Sequence, residues 1–182
     1  MSGLGGDSME FEKLGKEDIR SMYDLMEEAF PEEERRKYEK HKQLYENGCF
    51  EIFGKKDETG KVIAVMSIWN LEDVRYAEHL AVDPCLRGQK IGENLLQWVL
   101  KKNDLPLVLE VELPENEIAK RRIGFYQRQG LYYNEYPYLQ PPLQEGHGML
   151  PLRLMTYPEK IDEKTYHRYE KQIHQKVYFY NA

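Results

Sequence analysis

The sequence predicts a mixed α/β (α+β) fold, with a mostly antiparallel central sheet, helices on both faces and a parallel pair made by the fourth and fifth strands. Three observations lead there. β-rich runs separated by turn signals fill residues 49–82, the pattern of an antiparallel meander. A segment of helical period then divides the run at 74–82 from the run at 105–112, so those two strands can lie parallel through a crossover. Amphipathic helical repeats stand near both ends of the chain, one before the first long strand and one after the last.

Taken in order, residues 10–14 predict a short first strand. Ile19, Met22, Tyr23, Met26, Ala29 and Phe30 recur at three and four, a helix stopped by Pro31. Residues 32–45 are so charged that they read as a second, mostly solvated helix. The runs at 49–53 and 62–69 flank Asp57, Glu58, Thr59 and Gly60, a hairpin signal. After the strand at 74–82, Asp83 and Pro84 end the run. Ile91, Leu95, Trp98 and Val99 then share one helical face. Residues 115–129 predict another helix, with Ala119, Ile123 and Tyr126 on one side and Gly130 as its C-terminal stop. Residues 131–138 and 150–157 read as a last pair of strands joined by a Pro- and Gly-containing loop. Ile161, Tyr166, Tyr169, Ile173 and Val177 mark a final helix.

The chain has 182 residues, enough for one domain with a full core. We expect that domain over 9–158, with a C-terminal helix at 159–182 packed on it and residues 1–8 as a loose tail or expression scar. No apolar run approaches the ~20 residues a bilayer requires, so a membrane partner is not expected. A net charge of −6 argues against nucleic acid, whose phosphates repel an acidic surface. The two cysteines, Cys49 and Cys85, lack metal-ligand spacing, and a reduced, cytoplasmic protein without a metal is the simple expectation.

The chemistry concentrates in one strand–loop–helix. Leu80, Ala81 and Val82 end a strand; Arg87, Gly88, Gln89, Lys90, Ile91 and Gly92 carry the chain into a helix. Backbone N–H groups in such a first turn have no intrahelical partners, and the helix dipole is positive there, which suits a pyrophosphate. Neither the Walker A spacing nor a Gly-x-Gly-x-x-Gly dinucleotide fingerprint is present.

Residues 87–92 resemble the acetyl-CoA loop of the GNAT acetyltransferases, Gln/Arg-x-x-Gly-x-Gly/Ala, with Lys90 where the pattern has its first glycine. Leu80 to Pro84 resembles that family's fourth strand, Leu109-Glu-Val111 its fifth, and Phe125, Tyr126, Gly130 and Leu131 its Tyr-x-x-x-Gly segment. Asn116 and Ala119 keep the spacing of the family's Asn-x-x-Ala pair but stand about three residues early relative to Tyr126.

The resemblance implies acetyl-CoA as cosubstrate, held in a V between the fourth and fifth strands, and direct attack by an amine on the thioester. It implies contacts to Leu80, Ala81 and Val82 and to the loop 87–92, with Tyr126 protonating the departing thiolate. Without it, Tyr126 would read as a core tyrosine of an amphipathic helix.

Glu78 and Glu110 interrupt apolar strand runs, which is costly unless each is paired or faces a cavity, so both are candidate bases; solvent exposure is the plainer alternative. Strand alternation puts Glu112 on the side of Glu110, and puts His79 opposite Glu78, in a structural role. If the three glutamates crowd one cleft, the acceptor is a cationic amine, polyamine-like, aminoglycoside-like or lysine-like, as a small molecule or a protein amino group. A longer acyl-CoA, and a non-catalytic CoA-binding module of the same fold, are the alternatives. A monomer or homodimer is expected.

Overall fold

The structure is a computed structural model that describes residues 10–144 and 146–181; the predicted tail at 1–8 lies outside them. The chain runs through β1 (Glu12–Lys13), α1 (Ile19–Ala29), α2 (Tyr38–Gln43), β2 (Phe50–Lys56), β3 (Val62–Asn70), β4 (Arg75–Val82) and α3 (Ile91–Leu100). It continues with β5 (Leu107–Glu112), α4 (Glu117–Arg128), β6 (Tyr132–Tyr133), β7 (Tyr138–Gln140), β8 (Leu150–Tyr157) and α5 (Glu163–Lys176). All strands join one sheet in the order β1-β2-β3-β4-β5-β8, with β6 and β7 both pairing the outer edge of β8. Every pairing is antiparallel except β4 with β5, which the α3 crossover makes parallel.

Alternation along the strands splits the core in two. Tyr76 and Val108 point to one face, where they meet Met22 of α1 and Tyr169 and Ile173 of α5. Ala77 and Leu109 point to the other, packing with Leu95 and Val99 of α3 and Ile123 of α4. Among the described residues no helix is long and apolar enough to cross a membrane.

Two predicted elements are corrected. Residues 32–45 do not form one solvated helix. After a 3-10 turn at Glu32–Glu34, Arg35 is extended, α2 begins only at Tyr38, and Arg36 and His41 turn into the protein at 6% and 1% exposure. Charge density misled here, because the buried guanidinium of Arg36 is paired by Glu78 of β4. The strand expected over 131–138 is interrupted. Asn134 holds β8 with its side chain as well as its backbone N–H, the side-chain amide donating to Leu154 O at 3.2 Å and to Thr156 Oγ1 at 2.9 Å, and Pro137 has no N–H to give.

Candidate active site

The site begins with a failure of pairing. β4 and β5 are in register only at Arg75–Leu107, Tyr76–Val108 and Ala77–Leu109. Beyond Ala77 the strands part, and β5 continues paired to β8 alone. The parting coincides with a bulge: Met66 of β3 faces Leu80 and Ile68 faces Ala77, so Ser67 opposes both Glu78 and His79. The extra residue shifts the alternation, and Ala81 joins the core face of Tyr76. It also corrects the predicted placing of His79. Instead of opposing Glu78, His79 sits beside it, with Nδ1 3.9 Å from Glu78 Oε2 and the ring edge-on to Phe30 at 4.9 Å. His79 Nε2 lies 2.8 Å from the Glu34 carbonyl, which can only accept, so Nε2 carries the proton.

Between the parted strands lies a cleft of about 330 Å³. Its walls include Glu78, Leu80, Ala81 and Val82 from β4, Glu110 and Glu112 from β5, Tyr126 from α4, and Arg87. Most of the residues singled out in the sequence thus meet in one cavity. Val82 and Arg87 also line a neighbouring hollow of about 280 Å³ with Gly88, Lys90, Ile91, Gly92 and Phe125. Lys90 takes the left-handed conformation, φ 59°, that glycine adopts without steric cost, and caps α3 from there. Gly92 packs onto β4 so tightly that a Cβ would meet Val82 Cγ2 at 3.2 Å. Gln89 of the predicted loop is exposed and lines neither hollow.

Glu110 is the most elaborately held group. Tyr138 and Gln140 of β7 and Tyr178, beyond α5, all donate to its carboxylate, Tyr178 Oη at 2.8 Å. Tyr76 Oη stands 3.0 Å from Tyr178 Oη and extends the network. Burial pushes the Glu110 carboxyl above the usual range, and the hydroxyl and amide donors only partly offset it.

Glu78 is different. Burial pushes it up as well, but the Arg36 guanidinium, His79 and a 2.9 Å bond from Trp69 Nε1 outweigh that and hold its carboxyl below the usual range. Glu112 stands 3.6 Å from Arg122. The anionic field predicted from three crowded glutamates therefore contracts. Two have cationic partners, and what raises Glu110 is burial rather than like charge.

Tyr126 is half-buried, its hydroxyl has no hydrogen-bond partner among the described residues, and burial raises its pKa. Asn116, read from sequence as displaced, caps α4 by accepting from Ala119 N at 2.8 Å, which explains the Asn-x-x-Ala spacing. Sequence reasoning missed Arg36, Tyr76 and Tyr178; Tyr138 and Gln140 carried a signal, the first in a conspicuous tyrosine-rich run and the second at the head of a Gln-Pro-Pro loop. Among the described residues, no group of three or more His, Cys, Asp or Glu is placed to hold a metal ion.

Comparison with known proteins agrees with this geometry. No curated protein matches the chain in sequence. A solved protein from Bacteroides thetaiotaomicron, assigned to the acetyltransferases of the GNAT family, is 34% identical over 94% of this chain and 99% of its own, with a TM-score of 0.86. A spermidine N-acetyltransferase chimera from Vibrio cholerae and hSSAT (16% identity, TM-score 0.62, 81% of this chain and 93% of its own) shares the fold. So does Arabidopsis thaliana NAA60 in complex with a bisubstrate analogue (15% identity, TM-score 0.61, 81% and 95%). The Acetyltransferase (GNAT) family model matches residues 19–131, from α1 through the parted strands to the end of α4, and the chain belongs to that family.

Proposed function

We propose that this protein transfers the acetyl group of acetyl-CoA to a primary amine by direct attack, with both substrates bound together. One observation carries the reading: Glu110 and Tyr126, from different elements, line a single cleft that opens where β4 and β5 part. The surroundings fit the cosubstrate. Left-handed Lys90, Gly88 at φ 82° and the close seat of Gly92 on Val82 leave the first turn of α3 free to offer N–H groups to a pyrophosphate, with Arg87 alongside. The edge of β4 at Leu80, Ala81 and Val82 is unpaired on the β5 side, so it can bond an extended pantetheine arm and polarise a carbonyl.

In this reading Glu110 takes the proton of the attacking ammonium. Its carboxyl lies above the ordinary range, which moves it toward the proton affinity a base needs near neutral pH. Tyr126, neutral at working pH with its hydroxyl unengaged, protonates the leaving thiolate. Glu78, tied to Arg36, instead braces the bulge that opens the cleft, which leaves Glu110 as the base. The acceptor's cationic amine meets Glu110, as the sequence predicts for a lysine-like or polyamine-like compound. Free, exposed Cys49 and Cys85 suit a reducing, cytoplasmic setting.

Calorimetry with acetyl-CoA and steady-state kinetics over an amine library test this. Gly92→Asp sets an anion and a clashing side chain at the phosphate seat, and acetyl-CoA binding should disappear. Tyr126→Phe should bind acetyl-CoA normally while kcat falls roughly 10²-fold. Unchanged affinity in the first variant, or unchanged kcat in the second, would overturn the corresponding assignment.

A further inference from the structure

A second cavity, of about 530 Å³, adjoins the cleft, a volume within the range of small-molecule sites. It shares two walls with the cleft, Leu143 and Tyr178. Because Tyr178 also donates to Glu110 at 2.8 Å, the cavity begins one side chain away from the proposed base.

Among the described residues its polar lining has one sign: Lys40, Gln43 and Asn47 line it, on and just after α2, together with Arg36 and Gln144, and none of the described lining residues is acidic. Arg36 is spent, on Glu78 and on Val177 O at 2.9 Å. Gln144 Nε2 is spent as well, donating to Glu32 O and Arg35 O at 2.7 and 3.0 Å. Asn47 Oδ1 accepts from Cys49 N at 3.0 Å, which leaves its Nδ2. Among the described residues no carboxylate lies within ion-pair distance of the Lys40 ammonium, and the Gln43 amide makes no hydrogen bond. The free groups are therefore a cation and two amide donors, with Leu143, Leu44 and Phe179 supplying apolar wall.

We infer that this cavity holds the far end of the acceptor, and that this far end is a carboxylate. The inference rests on the acyl-transfer reading and narrows it. The substrate is a small amine carrying a carboxylate at the other end of its chain, its ammonium at Glu110 and its carboxylate at Lys40. A polyamine is disfavoured, because its second ammonium would face Lys40 with no anion among the described lining residues to receive it.

The test uses the intact protein and a matched set of acceptors: ε-aminocaproate, its amide, hexamethylenediamine and spermidine. With acetyl-CoA present, ε-aminocaproate should give a kcat/KM roughly fivefold above its amide, the scale of one solvent-reachable ion pair, and further above both polyamines. Lys40→Gln should erase that preference through KM, leaving kcat and the rate with the amide unchanged. Lys40→Arg should keep it, and Gln43→Glu should reverse it.

Binding of ε-aminocaproate to the protein alone, followed by calorimetry, separates the two ideas. If it binds and Lys40→Gln weakens it, but no amine is ever acetylated, the acyl-transfer reading fails and the carboxylate site stands. If amines are acetylated without carboxylate preference, or spermidine leads, or Lys40→Gln slows all acceptors equally, the site is wrong. An ε-aminocaproate that neither binds nor reacts overturns it too.

Discussion

His41 shows how much a single residue can cost. It is 1% exposed, lies between the rings of Tyr23 and Phe50, and neither ring nitrogen has a partner. The neutral ring therefore buries an N–H with no acceptor, at about 1–3 kcal/mol. Burial, reinforced by the charge of His79 and only partly opposed by Glu78, lowers its pKa to about 4. Unfolded, it titrates near 6.5. Between those values the unfolded chain binds a proton the folded one refuses, so this group makes stability fall as pH drops from about 6.5 to about 4. The full effect is on the order of 3 kcal/mol. His41→Phe keeps the ring packing and removes both penalties. We expect it to raise Tm at pH 7 and more so at pH 5, measured by thermal unfolding across that range. A variant no more stable than the parent at pH 5 would show that His41 is not the group responsible.

At the scale of elements, the loop entering α3 carries a similar cost for a different reason. Lys90 is held at φ 59°, where a side chain is strained by about 1 kcal/mol relative to glycine. Lys90→Gly relieves that strain and adds some entropy to the unfolded chain, so the net expectation is a gain of up to about 0.5 kcal/mol in denaturant unfolding. A loss of stability would mean that the lysine side chain contributes more than its backbone costs.

The same loop shows what the sequence could reveal. Arg87, Gly88 and Gly92 were legible because their roles depend on backbone geometry and local spacing, which a linear pattern records. β4 and β5 were legible as a parallel pair because an amphipathic helix separates them. The bulge at Glu78 and His79 was not. One extra residue inverts the side-chain alternation, and nothing in the composition of β4 announces where it falls. The buried turn at Arg36 was hidden for a related reason, since its charge is cancelled by a residue 42 positions away.

Across the whole molecule, the site is assembled from segments remote in sequence. Arg36 bridges the segment between α1 and α2, the bulge of β4 and the carbonyl of Val177 after α5. Removing such a guanidinium would leave a buried carboxylate unpaired, so Arg36 couples the opening of the cleft to the docking of the C-terminal segment. That segment also delivers Tyr178, 68 residues from Glu110. Its phenol donates to the ionised carboxylate, so it favours the charged form and restrains the upward push of burial. Tyr178→Phe deletes this donor and keeps the ring. The Glu110 pKa should then rise by about one unit, the scale of one hydrogen bond to a buried charge. If Glu110 must be ionised to accept the ammonium's proton, the acidic limb of kcat/KM against pH moves up by the same amount, and the rate on the alkaline plateau changes little. A residue that merely packs would lower the rate at every pH without shifting the limb. Measuring the pH–rate profile of Tyr178→Phe beside that of the parent decides between them, and a limb that stays fixed or moves down would remove Glu110 as the base.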